Sequence, residues 1–152
     1  MKPKYLYHGS GKRLKGEELT PRKANDLEDN ADNSLRGVYA SDYKNEALSM
    51  ALHSCRGVRE GSLHLQGIKG KIIMDSVVYE GWPKQKYIYL YILHSKTFEE
   101  RPPRSHQWVS IESVKPTKIE KLLVKDYLYL IRRATEKEKK EFFEKYSNKI
   151  NK

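Results

Sequence analysis

Short apolar and aromatic runs alternate with polar stretches along this chain, and few keep one period for long. Tyr5-Leu6-Tyr7-His8 reads as a short strand, closed by Gly9-Ser10-Gly11. Leu14 to Pro21 is a connection, residues 22–36 are polar and read as a loop, and Gly37-Val38-Tyr39-Ala40-Ser41 reads as a second strand. Ser41 or Asp42 is positioned to cap a helix with the body Asn45 to Leu52, where Ala47, Leu48, Ala51 and Leu52 recur at helical spacing. Gly57 and Gly61 then break the pattern. Ser62 to Leu65, Lys71 to Met74 and Tyr87 to Leu93 are strand candidates, the last apolar almost throughout, as in a strand buried on both faces. Arg101-Pro102-Pro103-Arg104 is excluded from a central strand, because proline donates no ladder hydrogen bond. Trp108 to Ile111 is a further strand, and Ile119 to Val124 with Tyr127 to Arg132 predict a closing hairpin turning at Lys125-Asp126. Thr135-Glu136-Lys137-Glu138 is a capping box that opens a C-terminal helix over about 135–148, carrying Phe142, Phe143 and Tyr146. Short strands with one internal and one terminal helix predict an α+β fold rather than repeated βαβ units, in a single domain over 1–152.

Composition adds that the chain can build a real core. Its 152 residues include two Trp, eleven Tyr and three Phe, which argues against disorder. No apolar run reaches the length of a membrane span, and no apolar signal segment opens the chain, so the expectation is a soluble, cytoplasmic protein. The single cysteine, Cys55, excludes an intrachain disulfide framework and leaves a cysteine zinc site short of ligands; no metal is expected. The net charge is +10, and +7 of it falls between Arg101 and Lys152. Such a surface is compatible with RNA or DNA, and equally with a solvated Lys/Glu-rich helix. Asp26 to Asp32 runs the other way and reads as a solvated acidic loop; the spacing and glycine of a calcium loop are missing.

Conventional catalytic signatures are absent: there is no Walker A loop, no GxGxxG, no HExxH and no GxSxG. His53 and Cys55 are two apart at a helix end and do not face each other, and His64, between two leucines of a strand, points outward. What remains is His8-Gly9-Ser10 at a strand end and Gly37 to Asp42 just before a helix. A glycine after a histidine lets a flat ring approach the backbone, whose N–H and C=O can grip a carboxamide. Tyr39 can supply a stacking face.

Taken together, Tyr5-Leu6-Tyr7-His8-Gly9-Ser10 resembles the first motif of the ADP-ribosyltransferase superfamily, in its poly(ADP-ribose) polymerase/diphtheria-toxin-like branch. Gly37-Val38-Tyr39-Ala40-Ser41-Asp42, with the helix behind it, is similar to the second motif, a segment shared with rifamycin ADP-ribosyltransferase and RNA 2′-phosphotransferase relatives. Gln107-Trp108-Val109-Ser110-Ile111-Glu112 fits the late strand that opens with the third residue of the family's His-Tyr-Glu triad. The resemblance covers most of residues 5 to 132.

It implies a split antiparallel β-sheet core and NAD as substrate, cleaved at the nicotinamide–ribose bond with transfer of ADP-ribose to an unknown protein, nucleic acid or small-molecule acceptor. His8 would hydrogen-bond the adenosine ribose, Gly9 would hold the carboxamide through its backbone, and Ser10 would touch the cofactor. Tyr39 would pack on nicotinamide, and Ser41 would support the pocket wall. The helix serine and second stacking tyrosine of the branch have no match; Ala47 and Met50 lie near their places. Gln107 stands where the family has Glu. It can accept the same ribose hydroxyl bond but brings no negative charge to a cationic transition state, which implies a weaker rate or a changed reaction. Glu112 is an alternative acid, although on an extended strand it faces away from Gln107, and His106 is an alternative base. Arg101, Arg104, Arg132 and Arg133 are candidates to hold phosphate. Three other functions compete with the transferase: an inactive NAD- or ADP-ribose-binding module, RNA 2′-phosphotransferase chemistry, and a plain nucleic-acid-binding domain.

Overall fold

A computed structural model describes residues 2–22 and 36–150. The acidic run Asp26 to Asp32 and most of the polar loop expected over 22–36 lie outside the described residues. The architecture is α+β: a six-stranded antiparallel sheet, a three-stranded mixed sheet and two α-helices. In chain order the elements are β1 (Tyr5–Ser10), β2 (Val38–Ser41), α1 (Lys44–His53), β3 (Val58–Ile68), β4 (Lys71–Gly81), β5 (Tyr87–His94), β6 (Glu99–Glu100), β7 (Gln107–Ser110), β8 (Lys118–Leu123), β9 (Arg132–Arg133) and α2 (Glu136–Ile150). The large sheet has the order β6-β7-β2-β1-β5-β8, the small one β3-β4-β9.

The apolar run of β5 accounts for the centre of the molecule. It pairs with β1 from Tyr5↔His94 to Ser10↔Tyr89 and with β8 on its other side. Side-chain alternation sends Ile88 and Leu90 to one face and Tyr91 and Leu93 to the other, and all four are at most 1% exposed. Ile88 and Leu90 meet Ala47, Leu48, Ala51 and Leu52 of α1, together with Val78, Val124 and Ile131. Tyr91 and Leu93 meet Leu6, Val38, Ala40, Phe98 and Trp108. Each such aliphatic side chain contributes roughly 1.5–3 kcal/mol by leaving water.

The small sheet is longer than its sequence pattern indicated. β3 and β4 are eleven residues each, turning at Lys69-Gly70, where φ is +51° and +77°. Two successive left-handed residues are what a tight hairpin turn requires. Polar Glu60, His64, Gln66 and Asp75 concealed the strands' extent; His64 is exposed. Tyr79 of β4 stacks on Phe142 of α2 at 4.0 Å, which docks the terminal helix. The capping box forms: the Glu138 amide donates to Thr135 Oγ1 at 3.2 Å, and the Thr135 amide to Glu138 Oε1 at 2.9 Å.

Two expectations are corrected. The closing hairpin does not form: β8 pairs with β5 alone, Val124–Asp126 and Leu128–Leu130 are 3-10 turns, and β9 joins β4 in parallel. Val124 and Ile131 are both buried in the α1 core, and the turns between them let both reach it. The N-cap of α1 is Tyr43, with no side-chain cap bond, rather than Ser41 or Asp42. Both of those side chains are engaged elsewhere.

Candidate functional site

β1 and β2 share one registered pair, Tyr7 with Ser41, and beyond it the histidine side chain takes over from the ladder. His8 Nδ1 lies 2.7 Å from the main-chain oxygen of Tyr39. A carbonyl only accepts, so Nδ1 carries the proton and Nε2 keeps a lone pair. Burial lowers the His8 pKa and the Arg22 charge adds to that, against the opposing effect of the Tyr39 bond. The ring is therefore a neutral hydrogen-bond acceptor at neutral pH. It leans on Tyr91, ring centroids 5.8 Å apart. The Tyr91 hydroxyl accepts from the Leu14 amide at 2.6 Å and donates to the Lys12 oxygen at 3.0 Å, which hangs the chain after β1 from the central strand. Ser10 ends β1, its Oγ accepting from the Lys12 amide at 3.1 Å.

Gly9 has a packing reason of its own. A Cβ built there would stand 1.8 Å from the Ala47 oxygen, so α1 lies directly on the strand backbone. Any side chain at position 9 would lift the helix.

β2 and β7 pair over four residues, with Ser41 opposite Gln107 and Tyr39 opposite Val109. Alternation puts Tyr39, Ser41 and Gln107 on one face, the face of Tyr7 and α1. His8 belongs to the face of Leu6 and Tyr91. The structure thus brings Tyr39, Ser41 and Gln107 together, and His8 joins them at the seam through the Tyr39 backbone.

Gln107 is held by the preceding loop. Its Nε2 donates to the Arg101 oxygen at 2.9 Å, and its main-chain oxygen accepts from the Arg101 amide at 2.9 Å. The first bond turns Oε1 away from that carbonyl. A glutamate in the same pose would set two acceptors against each other. Glu112 lies beyond β7 in an exposed bend, at the opposite end of the strand from Gln107.

Sequence reasoning missed a bracket around Asp42. Its Oδ1 is 2.7 Å from His106 Nδ1, and its Oδ2 accepts from Trp108 Nε1 at 2.9 Å. The His106 amide donates to Glu100 Oε2 at 3.1 Å, and His106 itself sits at φ +68°. A non-glycine residue rarely takes that conformation without being held there. Ligand atoms of Asp42, Glu100 and His106 lie within 4.8 Å of one another, so a cation would find three donors, but Asp42 already spends both oxygens on nitrogen donors. His106 is therefore an Asp42 partner. Glu46 was also missed. It stands half-buried in the first turn of α1. Burial raises its pKa, against the lowering effects of Ser41 and His106.

The candidate phosphate-binding arginines divide. Arg132 is bound by Asp75 and Glu138, and Arg101 pairs with Glu99 at 3.3 Å. Arg133 covers the Trp82 ring at 4.2 Å, and Arg104 is exposed. A groove of about 650 Å³ opens instead at the end of β1, lined by Lys12, Arg56, Lys86, Tyr87 and Tyr89 among others. Among the described residues, no acidic side chain lines it and none of these three cations has an ion pair. Cys55 at its wall is buried, its thiol pushed up to about 11, so it stays protonated.

No helix among the described residues is long and apolar enough to cross a membrane. No protein-family model matches the chain, and neither the curated proteins nor the solved structures give a match.

Proposed function

We propose that this chain is an NAD-dependent ADP-ribosyltransferase, built on a split antiparallel sheet of the ADP-ribosyltransferase kind and working in the reducing cytoplasm. The observation that carries the reading is the seam between β1 and β2. There a neutral histidine with its Nε2 lone pair, bonded to the Tyr39 backbone, stands beside Gly9 and at the edge of the strand that carries the Tyr39–Ser41–Gln107 face. A neutral imidazole acceptor suits a ribose hydroxyl, the Gly9 backbone suits a carboxamide, and Tyr39 suits a flat ring. Gln107 Oε1 accepts the second ribose hydroxyl. Ser10 ends β1 and would touch the cofactor there, and Ser41 ends β2 and would support the pocket wall.

The reading is tested by thermal stability with and without millimolar NAD, with nicotinamide release followed in the same sample, for wild type and His8→Ala. Ligand at 100 times its dissociation constant adds roughly 2.7 kcal/mol, an easily measured shift. A shift abolished by His8→Ala, with release, supports a transferase. A shift without release makes the protein an NAD-binding module, and no shift and no release overturn the reading.

The groove supports a second reading, in which RNA or DNA is bound through Lys12, Arg56 and Lys86 rather than through the C-terminal third named by charge counting. That reading requires affinity that falls steeply with salt and is indifferent to NAD.

A further inference from the structure

We propose that the groove at the end of β1 seats a single-stranded nucleic acid, its bases laid on Tyr87 and Tyr89 and its phosphates held by Lys12, Arg56 and Lys86. The proposal rests on the second reading above, names the form of nucleic acid that the groove fits, and does not depend on NAD.

The groove follows from how three stretches of chain are tied together. β1 leaves the sheet at Ser10, the chain after α1 turns over Ser54 to Gly57, and β5 enters at Tyr87. Gln85 joins all three. Its Oε1 accepts from the Arg56 amide at 2.7 Å, and its Nε2 donates to the main-chain oxygens of Gly11 at 2.6 Å and Tyr87 at 2.7 Å. The Gly11 amide donates to Ser54 Oγ at 2.6 Å. These groups of the floor are bonded to one another, so its shape is set before a ligand arrives. The side chains of Lys12, Arg56 and Lys86 stand exposed around it.

The charge of the groove is of one sign. Among the described residues no carboxylate lines it, and none of the three cations has an ion pair. The Arg56 guanidinium donates to the Lys84 oxygen at 3.0 Å, which leaves most of its N–H groups for a ligand. Like charges gathered in this way repel one another, and a row of phosphates relieves the repulsion.

The rings decide which polyanion fits. Alternation along β5 sends Tyr87, Tyr89 and Tyr91 to one face. Tyr91 is buried, whereas Tyr87 and Tyr89 are half-buried and line the groove. Lys121 and Lys86 bring their ammonium groups to 4.1 and 5.5 Å from the Tyr87 ring centre, so charge and stacking surface lie side by side. Residues two apart on a strand are separated by about 6.6 Å. Bases along one strand of a duplex are about 3.4 Å apart, and they are already stacked and paired. A single strand drawn out to twice that step offers a base to each tyrosine. An acidic peptide would use the cations and leave both rings idle.

The experiment measures fluorescence anisotropy of the full chain with labelled thymidine and uridine strands of about 12 nucleotides, with a duplex of the same length, and with an oligoglutamate competitor, between about 50 and 200 mM salt. The thymidine and uridine arms separate DNA from RNA. Single strands are expected to bind at least about tenfold tighter than the duplex. Tyr89→Leu should weaken them by about 5–150-fold with the salt dependence unchanged, and Tyr89→Phe, which keeps the ring, should retain the affinity. Lys12→Gln, Arg56→Gln and Lys86→Gln should each flatten the slope of log affinity against log salt by about 0.7, while Lys140→Gln on α2 leaves it unchanged. Equal binding of the duplex, or Tyr89→Leu within about twofold of wild type, overturns the single-strand assignment and leaves the nucleic-acid reading standing. A slope changed by Lys140→Gln and not by the groove variants moves the nucleic acid to α2 and overturns the groove as its seat. Oligoglutamate that competes as well as the strands makes the groove a general anion site and overturns the role of the rings. No binding of any strand or duplex at the lowest salt overturns the second reading and this assignment with it.

Discussion

The His8 imidazole donates through Nδ1 to the main-chain oxygen of Tyr39 over 2.7 Å, so a side chain closes the place where two strands stop pairing. His8→Ala removes the donor of that bond. It is expected to cost about 1–3 kcal/mol in urea unfolding, whatever happens to NAD. An unchanged midpoint would mean that water replaces the imidazole without loss.

Gly9→Ala tests the contact with α1. With its Cβ at 1.8 Å from a backbone oxygen, no rotamer relieves the overlap. The loss should exceed the usual 1–3 kcal/mol of overpacking. The measurement is denaturant unfolding, with near-UV circular dichroism reporting the displaced tyrosines around β1.

Asp42→Ala removes the acceptor of both His106 Nδ1 and Trp108 Nε1. The expected loss is about 2–4 kcal/mol, since one bond can be charge-assisted and both donors lose their partner. Asp42→Asn keeps one acceptor and should fall between. Tryptophan fluorescence follows the same change directly, because Trp108 is 9% exposed and loses its carboxylate partner.

Acid should loosen the join between α1 and the small sheet. His53 Nε2 lies 2.7 Å from Ser76 Oγ, Ser76 meets Ser49, and burial depresses the His53 pKa to about 4. A base with a depressed folded pKa contributes stability that is present above its unfolded value of 6.5 and lost as the pH falls toward about 4. At roughly 1.4 kcal/mol per pH unit, that window spans about 3 kcal/mol. Unfolding titrations between pH 7 and 4 should show the loss in wild type and a flatter profile in His53→Gln. His8 titrates in the same direction in both proteins.

The parts legible in the sequence were those governed by local pattern. The apolar run of β5, the Thr135/Glu138 box and the helix body around Ala47 each carry their signal within a few residues. The order of Tyr39, Ser41 and Gln107 along the chain was legible too; their shared face followed only from the β2–β7 register. The parts that escaped depend on long-range competition. Tyr127 to Arg132 has a strand-like composition, but burying both Val124 and Ile131 in the α1 core requires the turns. Asp42 looks like a helix cap until Trp108 and His106, more than sixty residues away, claim its oxygens.

The packing of α1 on Gly9 bears on how this protein's history can be read. The glycine of the His-Gly pair is demanded by the Ala47 carbonyl before any ligand is considered. Selection for folding alone would preserve it whether or not the chain turns anything over, so the glycine by itself reports the packing of the helix and not a ligand. Position 107, free of that steric lock, is where gain or loss of chemistry would leave its trace.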